Sequence, residues 1–170
     1  ERLITAKSAP VFGGVYKLAA VEDEQGNIIP KIKISENTAK ITNPHYKKLY
    51  RFYDNESGKA LADELCVYDE TIDSTKPHTI FDPDAIWKTK TLTDYTAREL
   101  HVTVFKNGEL VYKQPSLYEI RIYCAEQLET LWDEVKRFEN PHTYYVDLSK
   151  KLWDIKNALL EKSKDGKDLK

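Results

Sequence analysis

Lysine placement carries most of the chemistry legible in this chain. Lys17 falls within the apolar run Val15 to Val21, where an unpaired ammonium would be costly to desolvate. Lys31 and Lys33 alternate with Ile32 and Ile34, so the two cations share one face of any strand formed there. Lys47, Lys48 and Arg51 open the next apolar segment. If these strands are neighbours, their cations can converge on a polyphosphate, each charge-assisted contact contributing about 1.5–3 kcal/mol. The same residues also suit stems that reach for water or charges that guard an exposed sheet edge. Residue chemistry leans to that plainer role for Lys31, Lys33 and the 47–51 group, and leaves Lys17 balanced between the two.

Other chemistry is sparse. The four histidines, His45, His78, His101 and His142, lie in different segments without metal-ligand spacing and read as surface or packing residues. No nucleophile elbow, P-loop or paired-carboxylate motif stands out. Phe12-Gly13-Gly14-Val15 reads as a tight bend before a strand rather than a phosphate cradle. Cys66 and Cys124 are far apart and outside any CxxC spacing, as expected of two free thiols in a reducing compartment.

The elements that must position these groups divide the chain in two. The first two-thirds predicts strands and turns. Val15 to Val21 and Ile28 to Ile34 flank the turn cluster Asp23 to Asn27; Pro30, which donates no ladder bond, belongs at a strand start or an edge. Lys48 to Tyr53 and Ala60 to Tyr68 form a second hairpin through Asn55 to Gly58. Asp69 to Pro83 is polar and proline-bearing and reads as a long loop. Leu100 to Phe105 and Leu110 to Tyr112 flank Asn107-Gly108, a pair suited to the positive φ of a type I′ turn. The last third predicts helix. Ser116 and Glu119 form a capping box that opens an apolar stripe of Leu117, Ile120, Cys124, Leu128, Leu131, Val135 and Phe138, a face expected to be buried up to the stop at Asn140-Pro141. A second helix starts near Ser149 with Leu152, Ile155 and Leu159 on one side. Antiparallel hairpins followed by two C-terminal helices make the class α+β.

Composition narrows the partners. With 41% apolar residues in 170, the chain can build a sizeable core. Its 26 basic and 28 acidic residues nearly cancel, so no global field points to nucleic acid or an anionic membrane. No apolar run reaches the ~18 residues of a membrane span. Glu1 to Leu18 reads as a structured loop rather than a disposable tail, and the chain holds no methionine. A C-terminal piece of a larger protein is expected.

Four stretches carry a family resemblance, in order and at compatible spacing. They are LITAKSAPVFGGVYKL, PKIKISENTAKITNP with KKLYRFYD, SLYEIRIYCAEQL, and ENPHTYYVDLSKKLWDIKNALLE. Together they resemble the C-terminal third of the nicotinate phosphoribosyltransferases. The resemblance implies an α/β barrel with a second, mixed α/β domain that this chain completes. Residues 1–14 would end the barrel and phosphate-loop segment, 15–112 would form the β-rich part of the mixed domain, and 113–170 the helical part.

The same resemblance places the family's catalytic histidine and acidic residues before Glu1, leaving no catalytic residue in this segment and no activity in it alone. Glu1 would directly follow a phosphate loop, at the position of a family threonine, where backbone N–H groups suit a ribose 5-phosphate. Lys17 matches a lysine that, in the related nicotinamide enzyme, reaches the neighbouring subunit's active site near the pyrophosphate. Lys33, Lys47 and Lys48 would edge the diphosphate or ATP region. His45 stands where the family more often has glycine. Mg²⁺ and ATP are implied as cofactors, without ligands in this segment. The implied partners are the barrel part of the same enzyme, a second copy in a homodimer, and the substrates nicotinate and phosphoribosyl pyrophosphate, in cytoplasmic NAD biosynthesis. The competing expectation is a stand-alone, non-catalytic scaffolding or regulatory domain of the same fold.

Overall fold

The computed structural model describes Ser8 and residues 14–164. Its centre is a four-stranded sheet built on the hairpin of β3 (Lys47–Asp54) and β4 (Ala60–Val67). Asp54 fastens the connecting turn by accepting the Ser57 N–H at 2.7 Å, and Gly58 supplies a φ of 68°, a region that glycine enters without steric cost. β7 (Tyr95–Glu99) adds antiparallel beyond β3, and β10 (Val146–Leu148) adds parallel beyond β4, giving the order β10-β4-β3-β7. The parallel edge departs from the expected all-antiparallel sheet. It is possible because some 80 residues of crossover separate β4 from β10.

Strand alternation divides the core between the two faces. Tyr50, Phe52, Ala62, Cys66 and Tyr95 face one side, where Ile80 and Leu92 cover them. Those two come from the hairpin of β5 (His78–Asp82) and β6 (Ala85–Leu92). This hairpin takes up part of the segment expected to be a loop: Pro83 sits in its turn, where a missing N–H costs no ladder bond. On the opposite face Val67 and Leu148 pack against Leu152 of α3 (Lys150–Lys164), with Leu65, Trp153 and Ile155 around them. Ser149 opens α3, its hydroxyl accepting the Leu152 N–H at 3.2 Å, as the sequence indicated.

The remaining elements are more loosely attached. β1 (Ala20–Glu22) pairs with β2 (Ile28–Pro30) in a hairpin shorter than expected, with Pro30 at an edge. β8 (Phe105–Lys106) and β9 (Glu109–Leu110) meet through Asn107 and Gly108, both at positive φ. The single long helix resolves into α1 (Leu117–Glu129) and the one-turn α2 (Asp133–Lys136). Lys59 Nζ donates to the Glu129 and Leu131 carbonyls, and the Trp132 indole donates to Ala60 O at 3.1 Å. The lysine bonds, with the Ala60 N–H donating to Thr130 O at 2.8 Å, take over the carbonyl capping that a continuing helix would provide, and the indole bond holds the chain in its new direction. The expected burial of the apolar stripe is overturned. Leu117, Ile120 and Leu128 are exposed and Phe138 fully so, because no element among the described residues covers that face.

Candidate functional site

The lysines named from sequence occupy three adjoining stretches of main chain. Ala19 O, two residues beyond Lys17, accepts the Lys31 N–H at 2.8 Å and the His45 N–H at 2.7 Å. Lys33 is tied to Thr42, whose Oγ1 accepts its N–H at 3.1 Å. The post-17 segment, the return segment and the turn before β3 are therefore fastened together by backbone hydrogen bonds.

The side chains do not all converge. Lys17 lies outside any strand and is exposed, as are Val15, Tyr16 and Leu18 around it. The premise of an ammonium buried in a strand therefore fails, and this lysine is open to a ligand or partner. Lys33 is likewise exposed and lies beyond the end of β2. Lys47 and Lys48 project from opposite faces of β3. Lys47 is half-buried and folds back to donate to His45 O at 2.6 Å; desolvation lowers its pKa. Lys48 lies over the Tyr50 ring, 5.7 Å from its centroid, and 3.8 Å from Glu99 Oε2. Burial pulls its pKa down, but the Tyr50 oxygen and then Glu99 outweigh that and raise it. Arg51, grouped with these cations from sequence, is consumed by Asp63. Glu1 lies outside the described residues.

The turn that aims Lys47 has a specific geometry. His45 adopts φ 78°, the left-handed region in which a side chain is strained and glycine is not. Its Nδ1 accepts the Tyr46 N–H at 3.0 Å, and its ring stacks 6.0 Å from Tyr68. The histidine keeps the glycine-like backbone through these local contacts.

Sequence reasoning missed the buried polar groups. Asp63 and Glu64 are adjacent in β4 and so point to opposite faces, each 4% exposed or less. Asp63 accepts from Arg51 Nε and Nη2 and from the Tyr144 hydroxyl, the last at 2.8 Å. The Asp63 hydrogen bond raises the Arg51 pKa, and burial, followed by that carboxylate, raises the Tyr144 pKa. Glu64 meets His78 Nε2 at 2.8 Å, and the His78 ring packs 5.2 Å from Phe52, the packing role expected of it. Asp147 is buried on the edge strand β10. The available signal was two carboxylates inside the apolar run ALADELCV, which strand alternation sends to separate faces.

Among the described residues no group of three or more His, Cys, Asp or Glu side chains could hold a metal ion. The Mg²⁺ implied by the resemblance finds no donor set there. Among the described residues no helix is long and apolar enough to cross a membrane.

Comparison with known proteins accords with this architecture. Residues 46–156 match the nicotinate phosphoribosyltransferase C-terminal domain family. The chain is 38% identical to a nicotinate phosphoribosyltransferase of Bacillus subtilis over 155 residues, covering 91% of this chain and 31% of that protein. A Dictyostelium discoideum nicotinate phosphoribosyltransferase is 32% identical over 99% of this chain and 29% of its own length. The crystal structure of human nicotinic acid phosphoribosyltransferase superposes on 70% of this chain and 24% of its own, with a TM-score of 0.64 and 26% identity. The chain thus spans about 30% of the length of the curated relatives it matches. With the β3–β4 sheet, β7, β10 and α3 all falling between or across residues 46 and 156, the chain belongs to the nicotinate phosphoribosyltransferase C-terminal domain family.

Proposed function

We propose that this chain is the C-terminal part of a nicotinate phosphoribosyltransferase, forming nicotinate mononucleotide from nicotinate and phosphoribosyl pyrophosphate with ATP hydrolysis, in cytoplasmic NAD biosynthesis. The carrying observation is the family match over residues 46–156. The apolar surface supports it: Val15, Tyr16 and Leu18, Phe105 and Leu110 of the β8–β9 hairpin, and Leu117, Ile120 and Leu128 of α1 are each exposed. So many large apolar side chains left open suit a surface made for a partner. In this reading the partner is the barrel part of the same enzyme, within a homodimer.

The reaction breaks the anomeric C–O bond of phosphoribosyl pyrophosphate as the nicotinate ring nitrogen attacks. Negative charge then grows on the departing pyrophosphate. Lys17, with Lys33 as its neighbour through the Ala19 and Lys31 main chain, would donate to that pyrophosphate, and Lys47 and Lys48 would edge the same region. Cations in this role act by stabilising the leaving group rather than by acid–base transfer. Glu1 would contribute through its backbone N–H to the 5-phosphate.

A chimera tests the reading. The matching C-terminal third of the Bacillus subtilis relative is replaced by this chain, and nicotinate mononucleotide formation is measured. Restored turnover is expected, with Lys17→Ala raising the apparent KM for phosphoribosyl pyrophosphate about tenfold or more. A folded chimera without product formation would sink the reading. Unchanged kinetics in Lys17→Ala would return that lysine to a surface role.

A further inference from the structure

A cleft of about 1000 Å³ opens between the β5–β6 hairpin, the start of β4, Trp132 and the segment Pro141 to Tyr145. Asp147 is among its lining residues. The residue is 4% exposed, and its carboxylate takes part in no hydrogen bond or ion pair among the described residues. Its neighbour on the same sheet face, Glu64, is satisfied by His78 at 2.8 Å. Asp147 is therefore a largely buried carboxylate without a protein donor among the described residues. No fully enclosed side-chain oxygen or nitrogen there is left without a partner, so its oxygens reach solvent at the cleft. Desolvation first, then the Glu64 and Asp82 carboxylates, push its pKa up to about 6, consistent with a site short of positive charge.

The walls favour a cation over an anion. Asp82 and Lys88 on its walls pair with each other at 3.5 Å, which leaves two carboxylates, Glu134 and Asp147, against one lysine, Lys90. Two aromatic walls are fixed in advance. Trp132 Nε1 donates to Ala60 O at 3.1 Å, and Tyr144 donates to Asp63 at 2.8 Å. Rings held by their polar ends present apolar surface at little ordering cost; the Tyr144 ring already has the Arg51 guanidinium 5.6 Å from its centre, so Trp132 is the wall that attracts a further cation.

We propose that this cleft binds a small organic cation, an alkylammonium or a guanidinium, whose N–H groups donate to the Asp147 carboxylate while its hydrocarbon part lies against Trp132 and Tyr144. The site is built from residues that have no part in the phosphate-facing lysine set, so its test needs no enzyme activity.

The 170-residue chain is titrated with n-butylammonium and with methylguanidinium, following the Trp132 indole N–H by two-dimensional NMR. n-Butanol serves as the uncharged analogue and tetramethylammonium as the cation without N–H. Saturable shifts are expected with both donor cations, at least about tenfold tighter than with either control, since a charge-assisted hydrogen bond supplies the difference. Asp147→Asn, checked for native circular dichroism, should weaken both by about tenfold or more. In the unsubstituted chain, saturating n-butylammonium should also lower the Asp147 carboxyl titration midpoint. Absence of saturation, equal binding of either control, an unaffected Asp147→Asn variant or an unmoved Asp147 midpoint would each overturn the proposal.

Discussion

Arg51 and Asp63 stand directly opposite one another on β3 and β4 and close a two-point ion pair, Nε to Oδ1 at 2.8 Å and Nη2 to Oδ2 at 2.9 Å. Tyr144 donates to the same carboxylate from the far side of the chain at 2.8 Å, with the Arg51 guanidinium 5.6 Å from its ring centre. The trio ties the central hairpin to the segment leading into β10. It also holds one aromatic wall of the cleft in place.

Removing one partner should cost more than the pair contributes, because the other charge stays behind. Arg51→Ala is expected to destabilise by about 3 kcal/mol in urea unfolding. Arg51→Lys should recover only part, since one ammonium cannot span both carboxylate oxygens. Tyr144→Phe should cost about 1 kcal/mol. If the Arg51→Ala and Asp63→Ala losses simply add in a double-mutant cycle, the two residues are not energetically coupled and this account fails.

The turn before β3 makes a prediction from backbone geometry alone. His45 at φ 78° carries a side chain in a region that suits glycine. His45→Gly relieves that strain but frees the unfolded chain and removes the stack on Tyr68, so a small net gain of about 0.5 kcal/mol is expected. His45→Val, β-branched, should instead lose about 1–2 kcal/mol. Lys47 bonds the His45 carbonyl rather than its ring, so the glycine variant should leave that lysine's aim unchanged. Thermal midpoints that fall equally for both substitutions would contradict the backbone explanation.

The two thiols should differ sharply. Cys66 is wholly buried, and desolvation followed by the Glu64 and Glu70 carboxylates raises its pKa. Cys124 is exposed on α1. Reaction with a disulfide reagent depends on both thiolate fraction and access. A fast phase abolished by Cys124→Ser is expected, followed by a slow phase that accelerates with urea as Cys66 is uncovered. Two fast equivalents in the native chain would show that the packing around Cys66 is looser than the structure has it.

How far the sequence revealed this molecule depended on whether the determining contacts were local. The β3–β4 hairpin, the Asn107-Gly108 turn and the Ser116–Glu119 capping box were legible because each is set within a few residues; Glu119 Oε2 indeed accepts the Ser116 N–H at 2.7 Å. β10 was not, since three residues become a strand only through pairing with β4 across the crossover. The long helix was misread because its period continues through Thr130 to Trp132, whereas Lys59 and Trp132 end it by contacts from β4's side. The lysines were legible as residues, but their surroundings were not: Lys17 was expected inside a strand that does not extend to it. Asp147 was invisible because it lies on β10 and faces the β5–β6 hairpin, part of which read from its prolines as a loop.

Burial gives Asp147 a measurable pH signature. Its carboxyl titrates near 6 in the folded chain against an ordinary value of 3.8. Between pH about 4 and 6 the folded protein therefore keeps a proton that the unfolded chain has released, and stability contributed by this group falls as pH rises through that window. Above it the whole penalty is present. A shift of this size corresponds to at most about 3 kcal/mol, and water in the cleft reduces it to about 1–2 kcal/mol. Asp147→Asn, which carries no charge at any pH, should accordingly be more stable than the parent by about 1–2 kcal/mol at pH 7.5. The two should converge near pH 4, where the parent carboxyl is protonated in the folded state and half-protonated in the unfolded one. Urea unfolding of both proteins at half-unit pH steps measures the difference directly. A gap independent of pH would mean that the substitution acts through packing. A gap widening toward acid would reverse the sign and place the Asp147 carboxylate beside donors that the structure does not show.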